Sequence, residues 1–291
     1  MSALKGASAH ALPYMDLTGG AFLGEHAALS GQVGANNQIK ALLDRSQILP
    51  GPIGSGTSYP LFNPTSSEQD LLDDFYQRRL DRLTQSNWSD SRSQSHLDGL
   101  LESQGRLEQL LLQGDLIADN IEFGSSSDLG TQGELLAYLM SEGLAHGGSL
   151  NAVGGWDTHD NLGDQHRLHN DLFIGLKRLA DALDSYGLLN DTMVVVVSEM
   201  SRTPVMNSDN GKDHWSYTSA LLFGGNLEGG RVLGGTDETL SGQGINLADG
   251  SVNPGAPKLQ YDQFVAGILH AAGDDAEGFL PNVEVLHGIV D

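Results

Sequence analysis

The chain has 291 residues, enough for one large α/β domain or two small ones, and its 39% hydrophobic residues suffice for a packed core. It carries 38 acidic residues against 15 basic ones, and a net charge of −23 disfavours nucleic acids and anionic membranes as partners. Cysteine is absent, which excludes disulfides, thiolate metal sites and cysteine nucleophiles. No apolar run reaches membrane-spanning length, and the first twenty residues lack the continuous apolar stretch of a signal peptide.

The first half of the chain shows two helical patterns after a loop rich in proline and glycine. A capping box at 65–68 precedes a run of apolar residues at helical spacing. A polar break at 85–95 leads into a second leucine-rich run of the same kind. We therefore predict a helical hairpin over residues 66–113. It carries leucine stripes but no polar constellation, which favours a packing element or a cap over a source of chemistry.

The second half changes to alternating strand and helix patterns. A capping box at 131–134 predicts a helix, and an apolar stretch at 150–153 predicts a short strand. The β-branched run at 192–198 is typical of a strand that is buried on both faces of a parallel sheet. Between the two strands lies an amphipathic helix, with a stripe formed by Leu168, Leu172, Leu176, Leu179 and Leu183. Strand, helix and strand together predict a right-handed βαβ unit.

Candidate ligands follow both predicted strands. Asp157 and His159 come after the first strand, and Glu199 comes directly after the second. A glycine-containing loop then presents Asp213 and His214. Ligands bind beyond the carboxyl ends of strands in open α/β sheets, so we expect these side chains to converge there. Carboxylate oxygens and imidazole nitrogens suit divalent ions, and the sequence predicts a site for Zn²⁺, Mn²⁺, Mg²⁺ or Ca²⁺.

Each of these residues also has an ordinary structural interpretation. Asp157 alone is compatible with a helix cap, and His159 alone with a solvated loop. Glu199 is harder to explain in that way, because a carboxylate after a buried strand must be exposed, paired or metal-bound. Arg202 lies close to it in sequence and is suited to bidentate binding of a substrate oxyanion. His166, on the amphipathic helix, is a further candidate for the site.

Several motifs resemble one known family. They include GGWDTH at 154–159, SEMSRTP at 198–204, GKDHW at 211–215, the glycine-rich run at 229–237 and the predicted closing helix at 261–272. In this order and spacing they resemble the DUF1501 family, a bacterial family grouped with the alkaline phosphatase and sulfatase superfamily. The resemblance covers roughly residues 148–290.

The resemblance implies an α/β fold of alkaline-phosphatase type, with a mostly parallel sheet flanked by helices. The whole chain, 1–291, would form this single domain, with the hairpin at 66–113 as an inserted cap and 148–291 as the half that holds the metals. The resemblance implies a periplasmic or secreted hydrolase of small phosphate or sulfate esters, with Arg202 as a catalytic group. Its implied metal ligands are Asp157, His159, Glu199, Asp213 and His214.

The start of the chain departs from the family pattern. Members of the superfamily place a metal-binding aspartate and a nucleophile on early strands, and we predict no apolar strand with such an ending here. The absence of such a strand from the predicted elements leads us to expect that an N-terminal segment of the family pattern is missing. No motif for formylglycine sulfatase chemistry is present, and Thr57, Ser58 and Thr158 are hydroxyls without further support as nucleophiles. Two function classes therefore remain. The first is a hydrolase of phosphate or sulfate esters that uses two metals. The second is a non-catalytic exported protein that binds metal or glycan and keeps the fold and part of the site.

Overall fold

The structure is a computed structural model, and it describes residues 10, 14–17, 30–32, 66–85, 128–152, 154–225 and 227–290. The chain combines helices with small sheets, and it divides into two compact units. The first unit comprises Met1–Ser127 and Glu142–Ser149, and the second comprises Asp128–Ser141 and Leu150–Asp291.

The first unit contains a three-stranded parallel sheet. Its strands are β1 (Tyr14–Asp16), β2 (Ser30–Gln32) and β3 (Gly148–Ser149), in the order β2-β1-β3. Met15 and Asp16 on the central strand are fully buried. No early apolar strand with a metal-binding aspartate and a nucleophile at its end was predicted, yet β1 is an early strand and it ends in Asp16. Three residues are too short a segment for hydrophobic periodicity to reveal.

Helix α1 (Ser66–Gln85) also belongs to the first unit and confirms the first half of the predicted hairpin. The second half of that hairpin lies outside the described residues. Apolar side chains of α1 such as Leu71 and Phe75 are exposed. Among the described helices, none has the length and apolarity needed to cross a membrane.

Two packed helices open the second unit. Helix α2 (Leu129–Ser141) starts two residues before the predicted capping box, because Asp128 caps it by accepting hydrogen bonds from the backbone N–H and hydroxyl of Thr131. Helix α3 (Asp164–Ser185) packs against α2. The approach is close, since a Cβ added at Gly175 of α3 would lie 2.8 Å from that of Leu129.

Helix α3 confirms the amphipathic pattern read from the sequence. Of the five leucines in the predicted stripe, four are buried (Leu168, Leu176, Leu179 and Leu183) and Leu172 is half-buried. Burying a leucine side chain contributes roughly 1.5–3 kcal/mol, so this stripe is a main source of stability for the second unit. The helix ends where Gly187 takes a positive φ of 70°.

The valine-rich strand forms, but its environment differs from the prediction. Strand β4 (Met193–Val196) is half-buried throughout, and it pairs antiparallel with β7 (Leu221–Gly224). The predicted βαβ unit does not appear among the described strands, because β3 pairs with β1 and β4 with β7. The first strand of that unit also lies earlier than predicted, at 148–149 instead of 150–153. An apolar run predicts a strand, but the direction of its partner is set by distant residues.

A small hairpin and a C-terminal helical segment complete the second unit. The hairpin pairs β5 (Ser201–Arg202) with β6 (His214–Trp215). Helix α4 (Tyr261–Ala271) confirms the predicted closing helix, and α5 (Ala276–Phe279) follows it. A core cluster of Ile245, Leu286 and Ile289 packs against α4.

Candidate metal centre

The loop that carries Asp157 and His159 is anchored by the first turn of α3. The side-chain amide of Gln165 donates to the carbonyl oxygen of Trp156 at 3.1 Å and to Thr158 Oγ1 at 2.8 Å. Thr158 is buried, while Asp157 is exposed and His159 is half-buried. The loop therefore turns its hydroxyl inward and leaves its carboxylate and imidazole at the surface.

The β5–β6 hairpin supplies the other side chains of the site. Arg202 and His214 are direct partners in its antiparallel register, so their side chains project from the same face. The hairpin loop is closed by backbone hydrogen bonds from Thr203 N to the carbonyl oxygen of Asp213 and from Asn207 N to that of Gly211, both 2.9 Å long.

Three potential ligand atoms from the loop and the hairpin form a nearly equilateral triangle. His159 Nε2 lies 3.0 Å from Asp157 Oδ1 and 3.0 Å from His214 Nε2. The third edge, from His214 Nε2 to Asp157 Oδ1, measures 3.1 Å. These three residues are the group of described histidine and acidic side chains whose ligand atoms lie close enough together to hold one ion.

The triangle fits a divalent metal. Metal–ligand distances of about 2.1 Å place neighbouring ligand atoms of an octahedral site about 3.0 Å apart. The spacing of the three atoms therefore matches that of one face of an octahedral site. Two imidazoles and one carboxylate are a common donor set for catalytic transition metals, because such sites keep positions open for water or substrate.

Arg202 lies beside the triangle and directs its terminal nitrogens into the protein. Nη2 donates to Asp157 Oδ1 at 2.6 Å and to the carbonyl oxygen of Trp156 at 2.8 Å. Nη1 donates to the carbonyl oxygen of Lys212 at 3.2 Å and lies 3.4 Å from His159 Nε2. Only 16% of the side chain is exposed. The guanidinium predicted to hold an oxyanion thus makes its hydrogen bonds to the two segments that carry the triangle.

The two aspartates of the site have lowered pKa values. Hydrogen bonds from Arg202 and then from His214 lower the pKa of Asp157 from its ordinary 3.8 to about 2. The hydrogen bond from Asn207, followed by that from His159, lowers the pKa of Asp213 below the same ordinary value. Both carboxylates are therefore charged at neutral pH, as a cation site requires.

Asp213 does not belong to the triangle. Its Oδ1 faces the other ring nitrogen of His159, Nδ1, at 3.3 Å, and it also accepts a hydrogen bond from Asn207 Nδ2 at 3.1 Å. A carboxylate in this position orients a metal-binding imidazole through the nitrogen that does not face the ion. Asn207 was not predicted as a site residue. The available signal was weak, since an asparagine in a loop rich in glycine and aspartate usually indicates a turn.

Glu199 and His166, the other predicted candidates, are not members of the three-atom group. Glu199 is exposed, and its Oε2 accepts a hydrogen bond from Ser198 Oγ at 3.3 Å. His166 is exposed on α3. His169 bonds the carbonyl oxygen of Gln165 through Nδ1, one turn earlier on the same helix.

Comparison with known proteins supports the family resemblance. Residues 143–283 match the model of a family described as "Protein of unknown function (DUF1501)". This range contains Asp157, His159 and His214 together with the hairpin that carries Arg202. No curated protein and no solved structure matches the chain.

Proposed function

We propose that this chain is a metal-dependent hydrolase of small phosphate or sulfate esters, with one divalent ion held by Asp157, His159 and His214. The observation that carries the proposal is the triangle of ligand atoms, with edges of 3.0, 3.0 and 3.1 Å. Two of the three donors are imidazole nitrogens. This favours Zn²⁺ or Mn²⁺ over Mg²⁺ and Ca²⁺, which prefer oxygen ligands.

The charge of the chain supports a cation site at this position. The net charge of −23 raises the local concentration of divalent cations, and the triangle itself lies at the surface. A bound ion would supply Lewis-acid polarisation of an ester oxygen. The role of Arg202 under this proposal is to hold Asp157 in place and to tie the loop at Trp156 to the hairpin at Lys212.

The proposed substrate class and fold rest on the resemblance to the DUF1501 family. The alkaline phosphatase and sulfatase superfamily implies a parallel sheet of alkaline-phosphatase type and anionic esters as substrates. It also implies a periplasmic or secreted location. A substrate anion would be attracted by the ion and not by Arg202, whose Nη hydrogens are used within the protein.

A non-catalytic metal-binding protein is the second candidate, and the hydroxyl groups of the site favour it. Thr158 Oγ1 is buried and accepts a hydrogen bond from Gln165. Thr203 Oγ1 donates to the carbonyl oxygen of Val205 and accepts from Asp213 N. Neither group is oriented as a nucleophile, and the candidates Thr57 and Ser58 lie outside the described residues. Turnover under the first proposal therefore uses an attacking group other than Thr158 and Thr203, such as water.

Two measurements test the proposal. Purified protein that has been stripped by mild chelation and reloaded should retain about one Zn²⁺ or Mn²⁺ per chain, and the double variant Asp157→Ala/His214→Ala should retain none. Equal metal content in the two proteins would overturn the site. The loaded protein should then hydrolyse aryl phosphate or sulfate esters faster than the variant. Metal binding without any difference in turnover would instead favour the non-catalytic protein.

A further inference from the structure

Asn207 connects the hairpin loop to both sides of His159. Its Nδ2 donates to the carbonyl oxygen of His159 at 2.8 Å and to Asp213 Oδ1 at 3.1 Å. Its Oδ1 accepts the backbone N–H groups of Asp209 and Gly211, each at 3.0 Å. One side chain thus shapes its own loop through the oxygen and reaches the metal-binding segment through the nitrogen.

The hydrogen bond from Asn207 fixes the carboxylate that faces the ring of His159. Asp213 Oδ1 lies 3.3 Å from His159 Nδ1, and a charged carboxylate can only accept there. Asp157 Oδ1 also lies 3.0 Å from His159 Nε2, so both ring nitrogens face a carboxylate. When an ion binds at Nε2, the proton of the neutral ring lies on Nδ1 and faces Asp213. The lone pair is then left on Nε2, which is the atom that belongs to the ligand triangle.

The β5–β6 loop packs closely against the main chain of His159 at Gly211. A Cβ added at Gly211 would lie 2.0 Å from the carbonyl oxygen of His159, so only glycine fits. The same carbonyl oxygen receives the Asn207 side chain. The position of His159 is thus held from its backbone and from its ring by one loop.

We propose that Asn207 is a positioning residue of the metal centre, which fixes the orientation of His159 and of the Asp213 carboxylate that faces its ring, without contacting the ion. The proposal rests on the proposed function for the identity of the site. The competing explanation is that Asn207 only shapes its loop through Oδ1, as asparagine often does in turns.

The variant Asn207→Asp separates the two explanations. It keeps an oxygen that accepts the N–H groups of Asp209 and Gly211, and it removes the amide that donates to Asp213 and to the carbonyl of His159. The added negative charge would by itself attract a cation. A loss of Zn²⁺ affinity would therefore oppose the charge effect, and we expect a loss of about 10-fold or more, as for other groups that orient ligands.

A matched control and a second variant complete the design. Asp209→Asn changes one charge on an exposed side chain of the same loop and should leave Zn²⁺ affinity within about twofold, since an exposed charge is largely screened. Asn207→Ser keeps an acceptor for the loop but is too short to reach Asp213. It should reproduce the loss without a change of charge if Asn207→Asp does not fold.

The ring orientation is measured on metal-free protein, so this part of the test does not depend on metal binding. Nuclear Overhauser contacts of the His159 ring should show one fixed orientation in the wild type and averaged orientations in Asn207→Asp or Asn207→Ser. Unchanged ring contacts together with wild-type Zn²⁺ affinity in both variants would overturn the positioning role. A fixed ring in a wild type that binds no Zn²⁺, with an averaged ring in both variants, would support the role while overturning the proposed function.

Discussion

Arg202 and Asp157 form a close ion pair, with 2.6 Å between Nη2 and Oδ1, at the point where the hairpin meets the loop that precedes α3. The same carboxylate oxygen faces both imidazoles of the site. The guanidinium of Arg202 therefore already balances the negative charge of Asp157 before any ion binds. This contact has consequences for stability, for its dependence on pH and for the metal affinity of the site.

The first prediction concerns acid stability of the metal-free protein. The pKa of Asp157 is lowered from 3.8 to about 2 in the folded state, so the folded state binds this proton less readily than the unfolded state. The resulting stability is complete above pH 3.8 and is lost as the pH falls through about 2. Urea unfolding of the wild type should therefore show a steeper loss over this window than Asp157→Asn. Parallel curves for the two proteins would contradict the ion pair.

The second prediction concerns Arg202 as a structural connection. Arg202→Met removes the donors to the carbonyl oxygens of Trp156 and Lys212, and we expect the free energy of unfolding to fall by about 1–3 kcal/mol. Arg167→Met is the control, because its exposed pair with Asp171 within α3 is worth only about 0.5 kcal/mol. Denaturant unfolding of both variants tests the difference. Equal losses would show that Arg202 does not connect the two segments.

The third prediction concerns the contact between the hairpin loop and His159. Gly211→Ala places a methyl group against the carbonyl of His159 and should cost about 1–3 kcal/mol of stability together with most of the Zn²⁺ affinity. Gly229→Ala is the matched control, since a Cβ there meets nothing within 4 Å. Calorimetric unfolding and Zn²⁺ titration of both variants provide the comparison. Wild-type affinity in Gly211→Ala would mean that the loop can move away without disturbing the site.

The fourth prediction concerns helix α1, which belongs to the first unit, whereas the ligand triangle belongs entirely to the second. Glu68→Ala on α1 should leave the Zn²⁺ content of the reloaded protein unchanged, because the helix supplies no ligand to the triangle. Elemental analysis beside Asp157→Ala provides the measurement. A marked loss of metal from Glu68→Ala would assign a ligand role to this helix.

The sequence identified the helices and the central residues of the site because both depend on short-range patterns. The leucine stripe of α3 and the closing helix α4 follow from helical periodicity, and the structure confirms both. Asp157 and His159 follow a predicted strand, His214 lies in a short motif of a predicted loop, and the structure brings the three together.

Features that depend on contacts between residues far apart in the chain were predicted less well from the sequence. The run at β4 indicated a strand, but its antiparallel pairing with β7 is decided by residues about 28 positions further along the chain, which periodicity does not register. Strand β1 is too short to produce a pattern. Asn207 acts through an amide that reaches His159, 48 residues earlier in the chain, and its sequence context indicates only a turn.

The distance along the chain between His159 and His214 makes a metal at this site a reporter of folding. The two rings are 55 residues apart in sequence and 3.0 Å apart between their Nε2 atoms. An unfolded chain would have to close that loop to bind one ion with both, at an entropic cost of about 4 kcal/mol. The folded state therefore captures the ion selectively, and by mass action the thermal midpoint of the protein should rise with the concentration of free metal.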